Sequence, residues 1–254
     1  MLLVLDLGNT NITAGVFRGP ELVAHWRLAT QHDVTGDQLA VTLQGLFGFQ
    51  ALTFGEVEGI VVSSVVPPLA GAVQQLCSVY FQRDPLMVGP GIKTGMPIDY
   101  EDPREVGADR IVNAIAAFAE YGGPVIVVDF GTATTFDAVS AEGHYLGGAI
   151  APGIQISLDA LFHHAAQLRR VELLRPKKAI GRNTVWSMQS GIIFGYSGLV
   201  KELIRRFRSE LSDAPVVATG GLAALIASEV DEIAAVDPWL TLKGLRMIWE
   251  RQTA

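Results

Sequence analysis

The sequence predicts an α/β fold with two related domains, and three observations lead to that prediction. Short β-branched apolar runs alternate with segments of helical periodicity. A pattern of apolar strand, Asp, apolar residue, Gly and Thr-bearing turn occurs near the start of the chain and again near its middle. The 254 residues, 49% of them apolar, suffice for two small cores. We therefore expect domains over residues 1–118 and 119–254 that face each other across a cleft.

The individual elements follow from the spacing of apolar residues and from the turn signals around them. Apolar runs bounded by Gly, Pro, Asn or Ser predict strands at 2–7, 12–17, 59–65, 85–89, 124–130, 134–140 and 214–219. Spacing of three or four residues predicts helices at 35–47, 67–80, 109–121, 184–211, 222–227 and 238–250. Strands and helices that alternate in this way are typical of α/β proteins.

Composition narrows the classes of function. A net charge of −7 with only short basic patches argues against a nucleic-acid partner. The single cysteine, Cys77, cannot form an internal disulfide, and no Cys/His pairs stand at zinc-ligand spacing. The first apolar stretch is interrupted by Asp6, and no apolar run reaches about 18 residues, so we predict neither a signal peptide nor a membrane span. We expect a cytoplasmic protein.

The turn after the first strand, Asp-Leu-Gly-Asn-Thr from Asp6, has the residues of an anion site. A glycine permits a tight turn whose N–H groups stay uncovered, so Gly8, Asn9 and Thr10 can donate hydrogen bonds to phosphate. Asp6 would repel that phosphate unless a divalent cation lay between them, which indicates a magnesium nucleotide. The alternative is an ordinary hairpin turn. Recurrence of the pattern at Asp129 favours the nucleotide site, and no P-loop motif is present.

Two further stretches carry candidate site residues. Gly107 and Ala108 precede a helix whose first turn holds Asp109 and Arg110, where a carboxylate could accept a substrate proton and a guanidinium could bind a substrate carboxylate. As structure alone, Asp109 would be a helix-capping residue. The Thr-Gly-Gly stretch at 219–221 offers bare backbone to a nucleobase or ribose, or it serves packing only.

The helix at 184–211 has a stripe of small residues on one face. Thr184 is its expected N-cap. Gly191, Gly195 and Gly198 share a face and would let another backbone come close, either in the core or across a subunit interface. Each glycine costs helix stability of roughly 1 kcal/mol relative to alanine, so such a close contact must offset the loss.

Taken together, these motifs resemble the type III pantothenate kinases, a family of the acetate kinase, sugar kinase, Hsp70 and actin superfamily. The resemblance runs nearly end to end. It rests on DLGNT at 6–10, SSVVP at 63–67, PREVGADR at 103–110, DFGTATTFD at 129–137, GGAIAPGI at 147–154, IGRNT at 180–184, QSGIIFGY at 189–196, TGGLA at 219–223 and DPWLTLKGL at 237–245.

The resemblance implies ATP-dependent phosphorylation of pantothenate, the first step of coenzyme A biosynthesis, by a homodimer with two ribonuclease-H-like domains per chain around a nucleotide cleft. It implies Mg²⁺ with the ATP, held by Asp6 through water, and a monovalent cation, K⁺ or NH₄⁺, at Asp129. Asp109 matches the proton acceptor. The implied ATP-binding residues are Asp6, Leu7, Gly8, Asn9, Thr10, Asn11, Ile12, Thr13 and Thr132. The implied pantothenate-binding residues are Tyr100, Gly107, Ala108, Asp109, Arg110 and, from the partner subunit, Thr184.

The sequence departs from the family pattern in one place. After the glycine-rich GGAIAPGI segment, which we predict to be helical, Ala165 and Arg169 stand where the family has Thr and Pro. The departure leaves every expected ligand position intact, so we expect it to change the shape of a loop and not the activity.

Two other functions fit parts of the sequence. A related kinase could act on a sugar or another small hydroxy-acid, although Arg110 suits a carboxylate better than a sugar hydroxyl. A non-enzymatic nucleotide switch, either an actin-like scaffold or a transcriptional accessory factor, would bind ATP without phosphorylating a small molecule. The acidic balance of the chain argues against direct contact with DNA.

Overall fold

The computed structural model describes residues 1–89, 91–164, 168 and 170–253. Ala165 and Arg169, the two departures from the family pattern, lie outside the described residues. The chain forms two compact units. The first comprises Met1–Gly95, Asp102–Ala116 and Thr241–Ala254, and the second comprises Met96–Glu101 and Ala117–Leu240. The division into domains at 118/119 stays a prediction.

The first unit is built on a five-stranded mixed sheet. Its strands are β1 (Leu2–Leu7), β2 (Asn11–Arg18), β3 (Glu21–Ala29), β4 (Gly59–Ser64) and β5 (Leu86–Val88). The order is β3-β2-β1-β4-β5, with β1 antiparallel to β2 and parallel to β4. This register places Asp6 beside Ser63 on one side and beside Thr13 on the other. A buried apolar strand therefore carries a carboxylate one residue before its end, at the carboxyl edge of a parallel pair.

Helices cover the first sheet. They are α1 (Gly36–Phe49), α2 (Ala70–Gln75), the first part of α3 (Ala108–Tyr121) and most of α7, the last helix of the chain (Leu240–Thr253). Thr35 caps α1 with a capping box that includes Gln38. The last helix packs against α3, where the Thr241 hydroxyl donates to Asn113 Oδ1 at 2.7 Å. The C-terminal segment thus supports the helix that starts with Ala108.

The second unit repeats the first arrangement. Its strands are β6 (Val125–Phe130), β7 (Ala133–Val139), β8 (Tyr145–Pro152), β9 (Val216–Thr219) and β10 (Ala235–Val236). The order β8-β7-β6-β9-β10 matches that of the first sheet strand by strand, and Asp129 lies beside Thr219 as Asp6 lies beside Ser63. Helices α4 (Ile154–His164), α5 (Thr184–Leu211) and α6 (Ala223–Ala227) accompany this sheet. The predicted internal repeat is confirmed.

Several elements differ from the sequence-based expectations. Strands β3, β8 and β10 and helix α4 were not expected. The segment 147–152 is strand and not helix, because β8 pairs with β7 along its length and this pairing overrides the low strand propensity of its glycines. The helix expected at 67–80 is divided into a 3₁₀ turn at Pro67–Leu69, α2, and a π-helical turn at Leu76–Phe81. Among the described residues, no helix is long and apolar enough to cross a membrane.

Candidate active site

Asp6 is a half-buried carboxylate at the end of β1. Ser63 lies on the neighbouring strand β4, and its hydroxyl donates a hydrogen bond to Asp6 Oδ1 at 2.7 Å. Burial raises the pKa of Asp6 from 3.8 to about 7; the bond from Ser63 opposes this rise, and the negative charge of Asp109 adds to it. The structure therefore brings Asp6 and Asp109 close enough to interact electrostatically, within one unit. Two neighbouring carboxylates favour a cation beside them.

The turn after β1 exposes the residues expected to meet phosphate. Asn9, Thr10 and Asn11 are exposed, whereas the side chains of Leu7 and Ile12 lie in the core, so these two can offer only backbone groups. The N–H of Gly8 donates to the Asn11 carbonyl at 3.0 Å and closes the turn. The donors that the turn can offer to an anion therefore begin at Asn9, one residue later than the sequence suggested.

Asp109 lies in the first turn of α3, and the chain before it leaves room for its carboxylate. A Cβ atom at Gly107 would lie 2.5 Å from Asp109 Oδ1, so only glycine fits this position without displacing the carboxylate. The backbone N–H of Arg110 donates to the same oxygen at 2.9 Å. Burial raises the pKa of Asp109, while the bond from the Arg110 N–H and the positive charge of Arg110 act against that rise. The Arg110 side chain is itself buried.

The second unit carries the equivalent turn. Asp129 is the penultimate residue of β6, and a Cβ atom at Gly220 would lie 2.5 Å from its Oδ1. Gly220 has a φ of +93°, so both its conformation and this close approach require glycine. The expected bare backbone at Thr-Gly-Gly thus lies against the Asp129 carboxylate. Thr132 is half-buried in the turn that follows β6.

Tyr100 and Thr184, the remaining expected site residues, belong to the second unit. The Tyr100 ring lies next to Gly147 of β8, where a Cβ would be 3.3 Å from the ring. Thr184 is the first residue of α5 and not its N-cap, because the Asn183 side chain accepts the hydrogen bond from the Trp186 N–H. Thr184 lines an apolar cavity of about 450 Å³ together with Leu161 and Met188.

The glycine stripe on α5 faces outward. Gly191, Gly195 and Gly198 are exposed, and within the described part of the chain no atom other than those of adjacent residues and of the helix's own backbone lies within 4 Å of where their Cβ atoms would be. The interpretation that the stripe packs in the core of the chain is therefore wrong. Val185 and Trp186, near the start of the same helix, are 45% and 50% exposed.

Ser63 is a site residue to which the sequence analysis assigned no role. Ser63 is fully buried, and its hydroxyl holds Asp6 through a hydrogen bond. Thr219, which occupies the equivalent position beside Asp129 in the second unit, is also buried. The signal was present in the sequence as a polar interruption, Ser63-Ser64, of an apolar strand. Sequence alone did not show which carboxylate this serine would face, because strand order decides that.

The donor groups fit the expected cations differently. Within the residues that the structure describes, no cluster of three or more His, Cys, Asp or Glu side chains could hold a metal by itself. Mg²⁺ keeps several waters and takes phosphate oxygens, so a single carboxylate such as Asp6 beside the turn fits it. Asp129 offers a carboxylate at the end of a strand, which fits an oxygen-liganded cation.

Comparisons with known proteins agree on one family. A family model described as type III pantothenate kinase matches residues 2–206. The type III pantothenate kinase of Moorella thermoacetica is 55% identical over 254 residues, which cover 100% of both chains. That of Geobacter sulfurreducens is 54% identical over 252 residues, which cover 99% of both chains.

Solved structures agree on the fold. A Campylobacter jejuni protein provisionally assigned to the Baf transcriptional activators is similar with a TM-score of 0.64 at 21% identity, covering 99% of this chain and 98% of that one. Component A of the (R)-2-hydroxyglutaryl-CoA dehydratase of Acidaminococcus fermentans has a TM-score of 0.55 at 14% identity, covering 100% and 99%. At these identities the likeness shows the fold alone. The predicted fold class, α/β with two related halves, is confirmed by the matching strand orders of the two sheets and by the similarity to these structures.

Substitution of Asp6 by Asn tests the cost of its buried charge. The folded-state pKa near 7 lies above the ordinary value of 3.8, so Asp6 reduces the stability of the ligand-free protein as pH rises between these values. We expect Asp6→Asn to be more stable than wild type at pH 8 by about 2 kcal/mol, with the gain disappearing towards pH 4. Urea unfolding at each pH, with EDTA and without nucleotide, measures the difference in the free energy of unfolding. Asp213→Asn, at an exposed aspartate, is the control. A gain that does not vary with pH would contradict this account.

Proposed function

The chain belongs to the type III pantothenate kinase family, and we infer from this membership that it transfers the γ-phosphoryl group of ATP to pantothenate, the first step of coenzyme A biosynthesis. The observation that carries the assignment of roles is the proximity of two carboxylates in the first unit, Asp6 beside the exposed turn and Asp109 at the start of α3. Asp6 suits the phosphate side of the reaction, and Asp109 suits the acceptor side.

On the phosphate side, we assign the segment from Asp6 to Thr13 to the phosphates of ATP. The exposed turn offers N–H groups and the side chains of Asn9, Thr10 and Asn11. Asp6 would hold Mg²⁺ through water. Bound with ATP, Mg²⁺ neutralises negative charge on the phosphate oxygens. Ser63 keeps the Asp6 carboxylate in place through its 2.7 Å hydrogen bond.

On the acceptor side, Asp109 takes the proton of the pantothenate hydroxyl. The new bond joins that hydroxyl oxygen to the γ-phosphorus, the bond to the bridging oxygen of ADP breaks, and the proton moves to the carboxylate. The raised pKa of Asp109 makes it a better proton acceptor than a fully solvated aspartate. The hydrogen bond from the Arg110 N–H fixes one of its oxygens.

The remaining residues are assigned to binding. Arg110 would pair with the pantothenate carboxylate, and Tyr100, Gly107, Ala108 and Thr184 would complete the substrate pocket. Thr132 would bind phosphate from the second unit, and Asp129 would hold the monovalent cation. A cytoplasmic location follows from the supply of ATP that the reaction needs.

We propose that the enzyme is a homodimer with Thr184 reaching the active site of the partner subunit. Three glycines of α5 present bare backbone to the outside, and Val185 and Trp186 at the start of the same helix are also exposed. Where the outer side of these glycines meets no other segment of the described residues, they cost helix stability without a return unless another chain covers them. Thr184 lies at the end of the same face and lines an apolar cavity.

A direct assay tests the function. With ATP, Mg²⁺ and pantothenate, we expect ADP and phosphopantothenate to form, and to form faster with K⁺ or NH₄⁺ than with Na⁺ or without an alkali cation. Coupled detection of ADP and mass spectrometry of the product measure this. Activity on a sugar or another hydroxy-acid but not on pantothenate would favour the related kinase, whereas ATP binding with no product would favour a nucleotide switch.

Replacement of Asp109 tests the proton acceptor. Asp109→Asn keeps the shape of the side chain but cannot take a proton, so we expect kcat to fall by about 10²-fold or more with little change in the melting temperature. Asp213→Asn, whose side chain is 97% exposed, is the matched control and should keep wild-type kcat. Turnover within about threefold of wild type in Asp109→Asn would remove Asp109 from this role.

Mixed dimers test the partner contribution of Thr184. Light scattering should give twice the chain mass of 27.2 kDa. Two differently tagged, inactive variants, Asp109→Asn and Thr184→Arg, are co-expressed and their heterodimer is purified. If Thr184 acts across the interface, one of its two sites carries neither substitution and about half of the wild-type activity returns. An active monomer, or a heterodimer as inactive as its parents, would contradict the proposal.

A further inference from the structure

Thr30, the residue that follows β3, contacts the turn after β1 twice. Its backbone N–H donates to the Thr10 carbonyl at 3.0 Å. Its hydroxyl donates to the Gly8 carbonyl at 2.6 Å. Thr30 is half-buried and belongs to no motif that the sequence analysis identified. Both acceptors are main-chain oxygens of the turn assigned above to ATP, so Thr30 holds two of the peptide units of this turn.

Planarity of the peptide bond gives these contacts a consequence for anion binding. In a trans peptide unit the C=O and N–H groups point in opposite directions. The Gly8 carbonyl shares its unit with the Asn9 N–H, and the Thr10 carbonyl shares its unit with the Asn11 N–H. With both oxygens held by Thr30, the N–H groups of Asn9 and Asn11 point away from it. Two electronegative oxygens are thereby kept off the surface that would meet phosphate.

The second unit shows that the hydroxyl is specific to the first turn. There Gly131 N–H donates to Ala133 O at 3.1 Å and closes a turn one residue shorter than the one that Gly8 N–H closes with Asn11 O. By strand register, Gly153 is the counterpart of Thr30, since it follows β8 as Thr30 follows β3. Gly153 lies against the Thr132 carbonyl with no room for a side chain. Thr30 in the first unit and Gly153 in the second therefore both approach carbonyls of the turn, but only Thr30 has a side chain that can donate a hydrogen bond.

We propose that Thr30 is a positioning residue for ATP, whose hydroxyl orients the turn between β1 and β2 so that N–H groups and not oxygens face the phosphates. The proposal rests on the proposed function in one respect, namely that this turn binds the phosphates of ATP. Thr30 itself contacts no reacting atom. Its effect is on the binding of the phosphate donor and not on the binding of pantothenate.

Two substitutions isolate the hydroxyl. Thr30→Val keeps the β-branched shape and the backbone N–H but removes the bond to Gly8, whereas Thr30→Ser keeps a hydroxyl. We expect Thr30→Val to raise KM for ATP roughly fivefold to tenfold, the size of one net hydrogen bond, with KM for pantothenate unchanged. Thr30→Ser should stay within about twofold of wild type. As control, Thr42→Val removes a similar bond, from Thr42 to the Gln38 carbonyl at 2.9 Å at an exposed position of α1, and should change neither KM.

The outcomes separate this role from a merely structural one and from failure of the proposed function. A structural role alone would lower the melting temperature of Thr30→Val and leave the ratio of the two KM values as in wild type, which would overturn the proposal. Equal losses in Thr30→Val and Thr30→Ser would overturn it as well. Calorimetric titration with ATP adds an independent readout. Wild-type protein that binds ATP but does not phosphorylate pantothenate would overturn the proposed function. Equal ATP affinities of wild type and Thr30→Val would overturn the role of Thr30.

Discussion

The arrangement of the first unit depends on one costly feature, a carboxylate placed at the buried end of a strand. Asp6 is half-buried with a pKa raised to about 7, and the Ser63 hydroxyl and the nearby charge of Asp109 act on it in opposite directions. A structure that needed only stability would have an uncharged residue here. The cost becomes understandable if a cation and the phosphates of ATP occupy the neighbouring turn, because a bound cation stabilises the same charge that burial disfavours.

The residues around this carboxylate are specialised to hold it and its turn. Gly107 leaves room for Asp109, whose Oδ1 accepts the Arg110 N–H, so the second carboxylate has one fixed oxygen. Thr30 holds two carbonyls of the turn. The C-terminal helix packs on α3 through Thr241 and Asn113 and supports the element that carries Asp109. Preorganisation of this kind is how phosphoryl transfer is catalysed with little covalent chemistry from the protein.

The internal repeat shows how one architecture serves two purposes. Both sheets have the same strand order, and both first strands have an aspartate as the penultimate residue before a glycine turn. The surroundings of the two carboxylates differ, with Ser63 and Asp109 near Asp6 but the backbone of Gly220 against Asp129. These differences are consistent with the assignment of magnesium and nucleotide phosphates to one turn and a monovalent cation to the other.

The sequence by itself determined the fold class, the repeat, most strands and the residue types of the two turns, because apolar periodicity and glycine turns are local signals. It also placed Asp109 and Arg110 at a helix start. Only the tertiary structure decided that Ser63 faces Asp6, that Thr30 holds the Gly8 carbonyl, that 147–152 is strand, and that the glycines of α5 face outward. Each of these depends on strand order or on packing between segments distant in the chain, and local propensity carries no information about such partners.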